Sequence, residues 1–170
     1  MRIGILSFQG NIEEHEASIA EAARALGERV EIVRVRRKES IDGLIIPGGE
    51  STVMRKFLAE EKMDMESIPL MGTCAGCVIM GDFMPIEVMR NGYGRQKESF
   101  ETMLEIEGIG EFRGVFIRAP RIKSAGCRVL SSLDNEPVFV EEGDRIALTF
   151  HPELTGDTRV HEYFLRKISR

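Results

Sequence analysis

The sequence predicts a three-layer α/β protein, in which helices cover both faces of an open, mostly parallel sheet with a β-rich insertion. Short apolar runs alternate with helical stretches over much of its 170 residues, as expected for successive strand–helix units. Residues 97–140 differ, because apolar and polar residues alternate there between glycines, which indicates short antiparallel strands. A chain of this length is expected to form one domain, spanning residues 1–170.

The first elements follow from apolar runs and their spacing. Short apolar runs predict strands at residues 2–7, 30–35 and 44–46. A helix is predicted between the first two strands, at residues 12–26, and another is predicted to begin at Thr52.

The later elements have similar signatures. An apolar run at residues 68–71 predicts a strand that leads through a glycine-rich turn into a helix. Residues 145–150 form the last predicted strand, and Val160, Phe164 and Ile168 repeat at helical spacing near the end of the chain.

The most informative stretch is Gly72-Thr73-Cys74-Ala75-Gly76, between a predicted strand and a predicted helix. A nucleophile on such a turn is lifted out at the carboxyl edge of the sheet, and flanking glycines let the crowded backbone bend. The N-terminus of the following helix favours the Cys74 thiolate, and the Ala75 N–H can face a developing oxyanion. The stretch therefore predicts acyl transfer through a thioester.

A base for this thiol is predicted at His151, two residues before the carboxylate of Glu153. In an extended segment these two side chains point to the same side, so Glu153 can orient the imidazole. Cys74, His151 and Glu153 would then form a triad of nucleophile, base and orienting group. The alternative is a purely structural His151. The other two histidines, His15 and His161, are expected on helix surfaces or flanks, outside the catalytic site.

A Pro-Gly-Gly-Glu-Ser-Thr loop follows the predicted third strand. Paired glycines let the backbone approach a ligand, which predicts a second oxyanion donor at Gly48 or Gly49, with Glu50 facing the substrate. Ser51 or Thr52 is expected to cap the helix that follows. An ordinary strand–helix loop is the alternative for this segment.

Charge and hydropathy exclude two classes of partner. The formal net charge of −5 argues against binding to a nucleic-acid backbone. No stretch is long and apolar enough to span a membrane, and the first apolar run is too short for a signal peptide. The protein is therefore expected in the cytoplasm.

The three cysteines are an odd number, which does not suit a disulfide scaffold. Cys74 and Cys77 form a Cys-x-x-Cys pair, so a redox site is an alternative, but its central position between glycines favours the nucleophile turn. Cys77 is expected to be a small apolar residue in the first helical turn, and Cys127 to be half-buried. Without a second pair of ligands, no metal is expected, and no cofactor is predicted.

Together, these motifs resemble the class I (triad) glutamine amidotransferases. Three further segments resemble, more narrowly, the glutaminase subunits of pyridoxal 5′-phosphate synthases. They are residues 6–11, residues 94–96 with 99–101, and residues 116–120. The resemblance covers essentially the whole chain, although the segment between the cysteine turn and Asn91 is shorter than in longer family members.

The resemblance implies a class I glutamine amidotransferase-like, flavodoxin-like fold and the hydrolysis of L-glutamine to glutamate and ammonia. It implies that Cys74 is the nucleophile, His151 the base and then the acid, and Glu153 its orienting group. It also implies a set of glutamine-binding residues, which are Gly48, Gly49, Glu50, Arg95, Ile117 and Arg118. Arginines and a carboxylate complement the α-carboxylate and α-ammonium of glutamine.

A partner is also implied, because free ammonia becomes ammonium in bulk water. In the family this partner is a (β/α)8-barrel synthase that builds pyridoxal 5′-phosphate and receives the ammonia through an internal path. The glutaminases dock around a synthase core in a large hetero-oligomer.

Three alternatives remain at this point. The first is a glutaminase that serves another synthase, such as the imidazole glycerol phosphate one, against which residues 116–120 argue. The second is a cysteine peptidase or chaperone-like relative, for which a glutamine-recognition loop would have no purpose. The third is a non-catalytic binding module, which the intact Cys74, His151 and Glu153 set disfavours.

Overall fold

A seven-stranded sheet organises the chain. The structure, a computed structural model, describes residues 1–90 and 99–169. The strands are β1 (Arg2–Leu6), β2 (Glu31–Val35), β3 (Gly43–Ile46), β4 (Leu70–Thr73), β5 (Ile86–Met89), β6 (Ser99–Ile106), β7 (Gly110–Ile117), β8 (Arg121–Ala125), β9 (Arg128–Leu133), β10 (Glu136–Glu142) and β11 (Arg145–Leu148). The α-helices are α1 (Ile12–Leu26), α2 (Ser51–Glu60), α3 (Ala75–Met80) and α4 (Arg159–Ile168), and a short 3-10 helix covers Pro152–Leu154.

The large sheet is mostly parallel, as predicted. Its order is β2-β1-β3-β4-β11-β10-β9. The five strands from β2 to β11 run parallel, and β10 pairs antiparallel with both β11 and β9. The order changes direction beside β1, and ligands of open α/β sheets bind at such a point, outside the carboxyl ends of the strands. The loops after β1, β3, β4 and β11 therefore meet at one edge.

The β-rich insertion is confirmed between residues 99 and 142. There β6 pairs with β7 in an antiparallel hairpin, and β8 pairs with β5 in a second small sheet. Strand β5 was not predicted, because Glu87 interrupts its apolar residues and no continuous apolar run marks the strand.

The two faces of the sheet pack into separate apolar clusters, which gives the predicted three layers. Successive residues of a strand point to opposite faces. Ile3 and Ile5 of β1 lie in a cluster that includes Phe164 of α4, and the same cluster takes the apolar face of α1. Leu44 of β3 lies on the other face with Phe57 of α2 and the apolar residues of α3.

Two predicted boundaries near the site are wrong. Helix α2 begins at Ser51, so neither Ser51 nor Thr52 caps it; Glu50 holds the cap position without a side-chain hydrogen bond. Strand β11 ends at Leu148 instead of residue 150. The Thr149 N–H still donates to the Val138 carbonyl of β10 at 3.0 Å, but the His151 N–H turns to the Val115 carbonyl of β7 at 2.8 Å.

Candidate active site

Cys74 occupies a strained turn between β4 and α3. Its backbone adopts φ 49° and ψ −112°, a conformation that side-chain-bearing residues rarely adopt. The flanking glycines are required by close packing. A Cβ on Gly76 would lie 1.9 Å from the Ile46 carbonyl oxygen, and one on Gly72 would lie 2.4 Å from Met80 Cγ. The predicted turn is therefore present, with glycines that let α3 approach the sheet.

The surroundings of the Cys74 sulfur suit a nucleophile. The residue is 8% exposed, and its Sγ lies 3.6 Å from the carbonyl oxygen of Ile117. The Cys74 N–H donates to the Leu148 carbonyl at 2.9 Å, which ties the turn to β11. Ala75 is the first residue of α3, and an N–H at that position has no acceptor within its own helix.

His151 and Glu153 are in direct contact. His151 Nδ1 lies 2.7 Å from Glu153 Oε1, which leaves Nε2 as the ring nitrogen available to a substrate or nucleophile. Burial alone lowers the pKa of His151, but hydrogen bonds with Cys74 and Glu153 and the charge of Glu153 outweigh it and raise the pKa to about 10. The predicted contact is present, although it forms across a 3-10 turn and not along an extended segment.

Glu153 is held from more than one side. It is 5% exposed, and its Oε1 also accepts a hydrogen bond from Asn11 Nδ2 at 2.9 Å. Burial raises the pKa of this carboxyl, but neighbouring His15, the hydrogen bond and charge of His151, and the Asn11 amide outweigh burial and lower it to about 2. Glu153 is therefore ionised beside His151 at neutral pH.

The loop with paired glycines stands beside Cys74 and His151. A Cβ on Gly48 would lie 2.9 Å from His151 Cε1 and 3.8 Å from Cys74 Sγ, so imidazole and thiol border one small space. Gly49 has φ 135°, a backbone conformation that favours glycine. Gly10 packs against this loop, since its Cβ would lie 2.1 Å from the Gly48 carbonyl oxygen.

These groups open into one cleft of about 580 Å³ at the carboxyl edge of the sheet. Its lining includes most of the predicted site residues, which are Gly48, Gly49, Glu50, Cys74, Ala75, Ile117, Arg118 and His151. Glu153 does not line the cleft and contacts it through His151. Arg95, also predicted to bind glutamine, lies outside the described residues.

Several lining residues were not predicted to take part in the site. They are Gln9, Gly10, Asn11, Ser51, Val78, Arg90 and Pro120. Gln9 accepts a hydrogen bond from the Glu50 N–H at 3.2 Å, so the segment after β1 supports the glycine loop. Its position directly after the first strand of a parallel sheet was the signal that could have identified it.

The expectation that His15 and His161 lie at helix surfaces is wrong. Both are completely buried, and His15 Nδ1 lies 3.0 Å from His161 Nε2. The acidic neighbours of His15 suggested exposure, but His15, Ile19 and Ala22 share the buried face of α1 at helical spacing.

The remaining cysteines do not form a second reactive site. Cys77 is fully buried in the first turn of α3, as predicted, and burial raises the pKa of its thiol. Cys127 is partly exposed, and all three cysteines are free. Among the described residues, no group of three or more His, Cys, Asp and Glu side chains is placed to hold a metal ion. No helix in that part of the chain has the length and apolar character needed to cross a membrane.

Comparison with known proteins decides the family. Residues 5–170 match the model of the SNO glutamine amidotransferase family. The chain belongs to this family. Among relatives, the pyridoxal 5′-phosphate synthase subunit PdxT of Thermoplasma volcanium is 44% identical over 187 aligned positions, covering 97% of this chain and 94% of the relative. The subunit of the same name from Ignicoccus hospitalis is 42% identical, covering 99% of this chain and 100% of the relative.

A solved structure supports the same family at the level of the fold. A crystal structure of a glutamine amidotransferase matches with a TM-score of 0.85 and 39% identity, covering 99% of each chain. The class I glutamine amidotransferase fold predicted from the sequence is therefore confirmed. The alignment of 187 positions with the Thermoplasma relative exceeds the 170 residues here, so that family member has residues that this chain lacks.

Proposed function

We propose that the chain is a glutaminase that hydrolyses L-glutamine to L-glutamate and ammonia through a thioester on Cys74, as a subunit of a pyridoxal 5′-phosphate synthase. The observation that carries the proposal is the meeting of Cys74, His151 and the Gly48–Gly49 backbone around one small space, with Glu153 held behind the imidazole. Membership of a glutamine amidotransferase family supports the substrate, and the names of the relatives support the complex.

The first half of the reaction forms the thioester. The Cys74 thiolate attacks the side-chain amide carbon, so that a C–S bond forms and the carbonyl electron pair moves onto oxygen. N–H groups of Ala75 and of Gly49 (or Gly48) stabilise this oxyanion. His151, charged because of its raised pKa, gives its proton to the amide nitrogen, the C–N bond breaks and ammonia leaves.

The second half releases glutamate. Neutral His151 takes a proton from water, whose oxygen attacks the thioester carbonyl, and the same N–H groups stabilise the second oxyanion. The C–S bond then breaks, which returns the Cys74 thiolate and the protonated imidazole. Glu153 holds the His151 tautomer throughout by accepting a hydrogen bond from Nδ1–H. No cofactor takes part in these steps.

Glutamine recognition is assigned to charged groups at the cleft wall. Glu50 complements the α-ammonium and Arg118 complements the α-carboxylate. Arg95, outside the described residues, is proposed to share the role of Arg118. Arg118 has φ 45°, and a strained conformation of a residue with a side chain often occurs where a ligand is clamped. Ile117 supplies apolar wall and the carbonyl oxygen beside Cys74.

The partner is proposed to be a synthase subunit of the (β/α)8-barrel type, in a large hetero-oligomer that receives ammonia before water protonates it. We also propose that residues 1–170 act as one glutaminase domain in the cytoplasm, where three free cysteines are kept reduced.

The first experiment measures glutamate release by the chain alone and with a pyridoxal 5′-phosphate synthase subunit added. We expect weak glutamate release by the chain alone and faster release with the partner. An isotope label on the amide nitrogen of glutamine should appear in pyridoxal phosphate. Release that the synthase leaves unchanged would point to another partner, and no release at all would refute the glutaminase.

The Cys74→Ala variant tests the chemistry itself. Because the sulfur forms the covalent intermediate, we expect glutamate release to fall by about a thousandfold or more. Binding of glutamine and of the partner should persist, because the other cleft residues are unchanged; full activity would refute the mechanism.

A further inference from the structure

A buried polar cluster lies behind the active-site carboxylate, outside the cleft. It consists of His15 from α1, His161 from α4 and the Thr73 side chain from β4, each completely buried. None of the three lines the cleft. Burying polar groups is costly unless they bind each other, so this cluster needs a physical explanation.

The contacts form a chain that ends at Glu153. His161 Nε2 lies 3.0 Å from His15 Nδ1, and His15 Nε2 lies 3.2 Å from Thr73 Oγ1 and 3.5 Å from Glu153 Oε2. Glu153 Oε2 and His161 Nδ1 are the two ends of the chain, and neither has a hydrogen bond within the described residues.

Electrostatics decides where the protons lie. If His15 carried its proton on Nδ1, the lone pair of Nε2 would face the Glu153 carboxylate, and His161 would hold an orphaned Nδ1–H. With the proton on His15 Nε2, an N–H faces Glu153 Oε2 and Thr73 Oγ1, while Nδ1 accepts from His161 Nε2–H. This tautomer turns Thr73 Oγ1 into an acceptor and leaves a lone pair without a partner on His161 Nδ1, and unpaired buried acceptors are more readily tolerated than unpaired buried N–H groups.

We propose that His15 is a positioning residue of the triad: its Nε2–H donates to Thr73 Oγ1 and faces Glu153 Oε2 at 3.5 Å, and His161 holds it in that tautomer. The two oxygens of Glu153 therefore have different partners, because Oε1 accepts from His151 and Asn11 while Oε2 faces His15. Thr73 directly precedes the nucleophile, so His15 links the carboxylate to the cysteine turn.

The cluster can do this only while it is uncharged. Burial lowers the pKa of His15 despite the charge of Glu153, and burial with neighbouring His15 lowers the pKa of His161 to about 3. A neutral His15 offers a dipole to Glu153 without competing as a second cation with His151. The inference rests on the proposed function, since it assigns His15 a part in the same triad.

The test measures how readily Cys74 reacts with iodoacetamide as the pH is varied, in a Cys127→Ser background. Cys77 is fully buried, so Cys74 is the reactive thiol in this background. His15→Leu removes the donor to Glu153, and His15→Gln retains an N–H at about the position of Nε2. Without that N–H, Glu153 is free to turn away from His151, and the imidazolium that stabilises the Cys74 thiolate loses its charged partner. A hydrogen bond to a charged group is worth about tenfold in such an equilibrium, so we expect alkylation of His15→Leu near pH 7 to be about tenfold slower.

We expect the His15→Gln variant to recover most of the alkylation rate, and His161→Phe to lose part of it. Thermal unfolding identifies variants that do not fold. If His15→Leu is one of them, the proton resonance of the His151–Glu153 hydrogen bond is compared in His161→Phe and the parent, because phenylalanine cannot donate to His15 Nδ1. Identical alkylation profiles in folded His15→Leu and its parent, or an unchanged resonance in folded His161→Phe, would overturn the proposal. Glutamate release by the parent is measured separately, so failure of the glutaminase function is distinguishable from failure of this inference.

Discussion

Gly48→Ala tests whether the glycine loop sets the position of the His151 imidazole, the proposed catalytic base. A Cβ at this position would lie 2.9 Å from His151 Cε1, 3.4 Å from Cys74 Cβ and 3.8 Å from Cys74 Sγ. Gly48 is not among the glycines with positive φ, so alanine strains no backbone there. The added methyl group therefore acts by contact with the active-site side chains alone.

The size of the effect follows from these distances. Carbon atoms in contact prefer a separation of about 3.5–4.0 Å, so the His151 ring must move by about 0.6–1 Å. A displacement of about 1 Å in a reacting group can lower a rate by about a hundredfold. We expect glutamate release by Gly48→Ala to fall between about tenfold and a hundredfold, with the partner present and glutamine saturating.

Gly81→Ala is the matched control for this variant. Its Cβ would meet its nearest atoms at 3.4–3.7 Å, and Gly81 has φ −60° at the end of α3. We expect the control to keep its activity, and both variants to unfold at temperatures close to that of the parent. If Gly48→Ala released glutamate within about twofold of the parent rate, His151 would not be in contact with Gly48 in the working enzyme.

Two further predictions concern stability. Gly76→Ala should lower the free energy of unfolding by about 2–4 kcal/mol in urea titrations, because its Cβ would lie 1.9 Å from the Ile46 carbonyl oxygen; an unchanged value would show that the turn can open without cost. Stability should be greatest near pH 6.5 in a titration of the unfolding free energy. As the pH falls below about 6.5, the unfolded chain binds protons that buried His15 and His161, with their lowered pKa values, do not bind. The free energy of unfolding therefore falls by up to about 1.4 kcal/mol per pH unit for each histidine, and for His161 this continues down to about pH 3. As the pH rises from 6.5 to about 10, His151, with its raised pKa, loses its contribution. His161→Phe should flatten the acid side, and an acid limb as steep as that of the parent would contradict the neutral, buried state of His161.

Local patterns were enough to predict most of the elements. Helix α1 spans the predicted residues, and the strands that carry the cysteine turn and the glycine loop lie within three residues of their predicted positions. Strand β5 escaped prediction because Glu87 interrupts its apolar residues, and β11 is shorter than predicted because the chain turns towards β7 at His151. Both outcomes depend on contacts with residues that are distant in sequence, in β8 for strand β5 and in β7 for the end of β11.

The sequence by itself determined the local parts of the candidate site: a cysteine on a tight strand–helix turn, a histidine and a carboxylate two residues apart, and a loop with paired glycines. These signals are local, because they depend on backbone freedom and on side-chain type at adjacent positions. Only the tertiary structure decided which residues pack behind the proposed triad. His15 and His161 are 146 residues apart, and the acidic neighbours of His15 suggested a solvated helix surface. The packing of α1 and α4 against one face of the sheet brings the two rings together, because each lies on the buried stripe of its helix.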